Sequence, residues 1–174
     1  MSLVLRLNRS ESKQIGVYMA HLKNTSVIYL EIKPIAYEFP DGCSSLNWLQ
    51  IQIEANDGNY KWQAVEPAFE NFELTDLIEW IRQLVNKNPI VKTTFYPTEP
   101  CMEFAASFDS ERIILKVSLG YEFLPPELRE TKERYKQRVT LSFEDEGDLF
   151  LQFASDLEKE LEPFPFRNES DDEE

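Results

Sequence analysis

A chain of 174 residues with a formal charge of −14, five glycines, two cysteines and one histidine excludes several functions before any pattern is read. The acidity repels phosphate backbones and anionic bilayers, so nucleic acid and membrane are set aside as partners. A lone histidine builds no His-based triad or multi-histidine metal site, and so few glycines make a phosphate-cradling loop a poor fit.

In chain order, Leu3, Leu5 and Leu7 alternate with polar or opposite-facing neighbours, as do Ile15, Val17 and Met19, which predicts two short strands. Ile28, Leu30 and Ile32 share one phase. Beyond Pro34 the phase flips to Ile35, Tyr37 and Phe39, so a bulge is predicted at the proline, which cannot donate to a ladder. Phe39-Pro40-Asp41-Gly42 ends this strand. The cleanest alternation follows: Leu49, Ile51, Ile53 and Ala55 point one way, and Trp48, Gln50, Gln52 and Glu54 the other. Asp57-Gly58 suits a tight primed turn back into residues 60–65.

Residues 66–72 read as a loop, and a helix is predicted over about 74–86, its stripe made by Leu74, Leu77, Ile78, Ile81, Leu84 and Val85. Thr75 or Asp76 would cap it, and Asn86, Asn88 and Pro89 would stop it. Further strands are predicted over 91–96, 102–108, 113–123 and 135–143, with a turn at Asp109-Ser110-Glu111, a break at Pro125-Pro126 and a short helical turn within 127–134. Asp148 would cap a closing helix facing inward with Leu149, Phe150, Phe153, Leu157 and Leu161. The expected fold class is α+β: one domain over 1–166, with a largely antiparallel twisted sheet and two amphipathic helices packed on one side, then a disordered acidic tail over 167–174.

A weak echo runs through the chain. Tyr37-Glu38-Phe39 returns as Tyr121-Glu122-Phe123, and Tyr60-Lys61 ahead of one helix returns as Tyr135-Lys136 ahead of the other. Internal duplication and chance repetition of common strand sequence both account for it.

No catalytic, metal-ligating or cofactor-binding set emerges. His21 reads as structural, and Cys43 and Cys101 as free thiols of a cytoplasmic protein, with a single disulfide left open. The basic run Arg129, Lys132, Arg134, Lys136 and Arg138 is interrupted by Glu127, Glu130 and Glu133, so it is a mixed-charge loop. Two features are candidates for binding. Glu66, Glu70, Glu73, Asp76 and Glu79 contain no lysine or arginine among them and interleave with Phe69 and Phe72. They form either a surface of one sign with aromatic anchors for a basic partner, or a solvated helix edge with both phenylalanines in the core. Trp48 lies on the polar face of its strand, where so large a ring is covered by another element or left for a partner.

The order Tyr37-Glu38-Phe39-Pro40, then Asn47-Trp48-Leu49-Gln50-Ile51-Gln52-Ile53-Glu54, then Glu73-Leu74 opening a helix with Trp80, resembles the WapI-like immunity proteins of bacterial polymorphic toxin systems. Phe123-Leu124-Pro125-Pro126, Leu141-Ser142-Phe143 and Phe164-Pro165 extend the resemblance over about residues 28–166. It implies a small, non-catalytic cytoplasmic protein, without cofactor, that binds and neutralises a toxin domain; the acidity of the chain suits a basic one. Two other readings stand beside it: a ligand-binding or enzymatic domain with carboxylates in a sheet cleft, and a structural adaptor that forms a homo-oligomer through an exposed strand edge.

Overall fold

The computed structural model describes residues 20–24, 27–40, 47–87 and 91–167. The strands expected before residue 20, Asp41 and Gly42, Cys43, Asn88 and Pro89, and the acidic residues after 167 lie outside the described residues.

Four strands run in sequence as an antiparallel meander, β1 (Ala20–Lys23), β2 (Tyr29–Tyr37), β3 (Trp48–Asn56) and β4 (Lys61–Glu70), and helix α1 (Asn71–Val85) follows. The second half repeats the plan with β5 (Thr94–Phe95), β6 (Met102–Asp109), β7 (Arg112–Gly120) and β8 (Arg138–Asp145), with short helix α2 (Pro126–Arg129) before β8 and helix α3 (Asp148–Leu161) after it. The α+β class and the antiparallel pairing are as expected, but the strands divide between two sheets. Alternation tells which side chains share a side; it does not tell which strands share a ladder. The echo is half positional: Tyr60-Lys61 and Tyr135-Lys136 both lead into a fourth strand, whereas Tyr37 ends β2 and Tyr121 opens a 3-10 turn after β7.

One hydrophobic core runs through both meanders and both long helices. From α1, the Trp80 ring meets Phe95 and Phe104 of the second sheet at centroid distances of 5.8 and 6.4 Å. Helix α3 lies along α1 and covers β1 and β2. Removing these side chains from water is the main favourable term holding the two halves together. A directional tie adds to it, since the Trp62 Nε1–H on β4 donates at 2.9 Å to the carbonyl of Phe123, in the 3-10 turn after β7.

Local chemistry explains where the elements turn. The ladder of β2 and β3 shifts between Pro34 and Ala36, which is the bulge read from the phase flip. The β3–β4 hairpin forms, but only Gly58 has a positive φ there, so the connection is not the two-residue primed turn. It is a wider loop closed by the Asp57 carboxylate, which accepts from the Asn59 and Tyr60 amides at 2.8 and 2.7 Å. Helix α1 starts three residues earlier than read, directly from β4, and neither Thr75 nor Asp76 caps it. The Glu70 amide is instead satisfied by the Glu73 carboxylate at 2.9 Å. At α3, Asp145 takes the part expected of Asp148, accepting from the Gly147 and Leu149 amides at 2.7 and 3.1 Å.

Candidate interaction surface

The candidate binding residues separate into three groups. Phe69 is fully buried at the end of β4, so it is a core residue and not a surface anchor. Phe72, three positions on, is 44% exposed on the first turn of α1. Phe72, Asp76 and Glu79 recur at helical spacing and form an exposed stripe, with Glu79 accepting from Gln83 at 2.9 Å. Trp48 is half-buried and sits directly across the ladder from half-buried Glu70, so the indole and that carboxylate share the outer face of the first sheet.

Glu73 forms the second group alone. It is buried, and one oxygen accepts from the Glu70 amide while the other accepts from the Thr98 amide and hydroxyl, both at 2.7 Å. The carboxylate therefore fastens the start of α1 to the loop ahead of β6, and its lone pairs are spent within the fold.

Glu66 is the third case. In the shifted register of β4 it lies opposite the buried Ile51, so its side chain turns inward at the edge of the sheet. There it lines a cleft of about 340 Å³ with Pro67, Glu99, Pro100, Cys101, Tyr121 and Glu122, where the rim of the first sheet meets the end of the second. Burial, and then the nearby Glu122 charge, push the Glu66 carboxyl above the usual carboxylate range, with Arg129 opposing. Arg134 stands 4.0 Å from Glu122, and the Arg138 guanidinium lies 4.7 Å from the centre of the Tyr121 ring. The mixed-charge loop thus returns to border the cleft. Tyr121 has a φ of 53°, a left-handed conformation that is costly for so large a residue. Glu99 and Glu122 have no sequence signal tying them to Glu66, because the elements carrying them meet only in the fold.

The sign of the Glu66 shift gives an expected result. A carboxyl whose folded pKa is raised favours the fold fully below its unfolded pKa, and that contribution is lost as pH rises through the folded pKa. Glu66→Gln is therefore expected to raise Tm slightly at pH 7, with the gain disappearing near pH 4; thermal melts at both values check it. Glu70 is raised in the same direction, by burial and then by Glu73.

A fourth cluster joins segments distant in sequence. The Asn47 Nδ2–H donates to the Arg167 carbonyl at 3.2 Å, and its Oδ1 accepts from the Arg167 amide at 2.8 Å. Asn71 donates to the Phe164 carbonyl, the Tyr37 hydroxyl to the Pro165 carbonyl, and the Arg167 guanidinium to the Phe39 carbonyl at 2.9 Å. The same guanidinium stacks 3.4 Å over the Tyr37 ring, whose edge meets Phe164. Arg167, read as the first residue of a loose tail, is in fact held firmly. Asn47 and Asn71 are buried because each supplies polar partners to a stretch of chain without its own ladder.

The remaining reactive groups are quiet. Burial pushes the Cys101 thiol up to about 12, which leaves almost no thiolate at neutral pH. His21 stands 3.7 Å from Glu31 and edge-on to Tyr29. Among the described residues no group of three or more histidine, cysteine or carboxylate side chains is arranged to hold a metal ion, and no helix is long and apolar enough to cross a membrane.

Two four-stranded meanders, each leading into a helix, with an acidic rim and a clasped chain end, define a small α+β protein whose distinctive chemistry lies on its surface. Residues 21–165 match the model described as the Immunity protein WapI-like family, and the chain belongs to that family. The matched span holds most of the clasp, from Tyr37 through Asn47 and Asn71 to Pro165, and five of the residues that carried the resemblance, Tyr37, Phe39, Asn47, Phe164 and Pro165, meet there. No curated protein and no solved structure matches the chain.

Proposed function

We propose that this protein binds a cognate toxin domain in the cytoplasm of the cell that makes it and blocks that domain without catalysis. The observation that carries the reading is the family match over residues 21–165. A basic partner surface is favoured by the net charge of −14 and by the exposed or half-buried acids Glu70, Asp76 and Glu79 near Phe72 and Trp48 in the fold.

Co-expression with the toxin domain encoded beside this chain tests the proposal. Cells are expected to survive and a complex to be recovered; continued killing with no complex would sink it. Replacing Glu70, Asp76 and Glu79 by lysine is expected to weaken association by at least about tenfold at low salt and to flatten its salt dependence. Unchanged affinity would discard this face while leaving the function standing.

The cleft favours a second reading, a carboxylate-based ligand-binding or enzymatic domain, because Glu66, Glu99 and Glu122 converge on one concavity. Glu66→Gln with Glu122→Gln separates the two: protection that survives both changes has no need of cleft chemistry.

A further inference from the structure

The clasp leaves aromatic rings uncovered around itself. Phe39, whose carbonyl takes the Arg167 guanidinium, is 40% exposed; Phe166, one residue before Arg167, is 50% exposed; and Phe72, next to the clasp residue Asn71, is 44% exposed. These three phenylalanines come from the turn just after β2, the start of α1 and the segment after α3, yet the hydrogen bonds of Asn47, Asn71, Tyr37 and Arg167 draw their backbones to one end of the molecule. Scattered exposed apolar side chains are ordinary, but three exposed phenylalanines whose backbones the clasp brings to one end, with half-buried Trp48 next to the clasp residue Asn47, are the composition of a contact surface.

The geometry points to this clasped aromatic end as the docking surface for a protein partner that presents arginine or lysine side chains beside aliphatic ones. The inference rests on the immunity reading and specifies where its contact lies. Three features fit that occupant. Glu38, Glu70 and Asp76 lie within a few residues of Phe39 and Phe72, and the cation of the clasp, Arg167, is taken up by the Phe39 carbonyl and the Tyr37 ring, so the charge left for a partner is negative while the centre is apolar. Phenylalanine faces also attract cations directly. Finally, the clasp fixes the backbone of residues 164–167 before any partner arrives, which reduces the ordering cost of association.

Phe108 supplies an internal comparison. It is 45% exposed, but it belongs to the β6–β7 hairpin, whose turn residue Glu111 pairs at 2.7 Å with Lys87 just beyond the far end of α1 from Phe72.

The experiment measures the dissociation constant of the purified chain with the toxin domain encoded beside it, using the wild type, the combined Phe39→Ser, Phe72→Ser, Phe166→Ser variant, and Phe108→Ser. The triple variant is expected to bind at least about 30-fold more weakly, and Phe108→Ser to bind as the wild type does. Equal binding by the triple variant and the wild type would overturn the docking surface and leave the immunity function intact, whereas a wild type that neither binds nor protects would overturn both. Hydrogen exchange on the wild-type complex gives a readout that needs no variant to fold. Protection gained at residues 37–40, 70–73 and 164–167 supports the surface, and protection gained only elsewhere removes it.

Discussion

Phe69→Ala is expected to destabilise the protein by about 3–5 kcal/mol and to lower Tm by about 10 °C or more. The ring is fully buried and pairs across the ladder with Leu49, itself fully buried, at the point where β4 hands over to α1. Truncation leaves a cavity at the junction of sheet and helix, where neither neighbour can close it without breaking its own backbone hydrogen bonds. The same change on Phe72 is expected to shift Tm far less. Thermal or urea melts of the two variants side by side distinguish a core phenylalanine from an exposed one three residues away. A Phe69→Ala protein as stable as the wild type would contradict the placement.

Glu73→Ala is the second large effect, about 3 kcal/mol. Three hydrogen bonds to one buried carboxylate disappear together, leaving the Glu70 and Thr98 amides without their acceptor. Glu73→Gln retains one oxygen and is expected to cost clearly less, because either the helix start or the loop stays tied. Urea midpoints at constant m-value check the order. If glutamine proves as damaging as alanine, the charge itself matters more than the acceptor geometry.

These two residues also show what a sequence can express about a site. Phe69 and Phe72 lie on either side of a change from a two-residue to a 3.6-residue period, and at that change alternation and helical spacing assign opposite faces to the same residue. Reading residues 66–72 as a loop followed from that conflict, and so did the late start given to α1. The β3–β4 hairpin, the bulge at Pro34 and the stripe of α1 were legible because each depends on neighbours in sequence. The cleft was not legible, since Glu66 and Glu122 meet only when two separate sheets abut. The clasp lies between these extremes. Tyr37, Phe39, Asn47, Phe164 and Pro165 were visible in a family pattern, but Asn71 and Arg167 were not, and the mutual contacts appear only once residue 167 returns to residue 47.

That return has a consequence for synthesis. Within each meander every strand pairs with the next in sequence, so most ladders can close while the chain is still being made. Asn47 and Arg167, by contrast, are separated by 120 residues, and Tyr37 waits 128 residues for Pro165. The end bearing Phe39, Phe72 and Phe166 is thus completed only after both meanders, and a chain cut short of Pro165 would carry both sheets but lack the contacts that Tyr37, Asn47 and Asn71 make with residues 164–167.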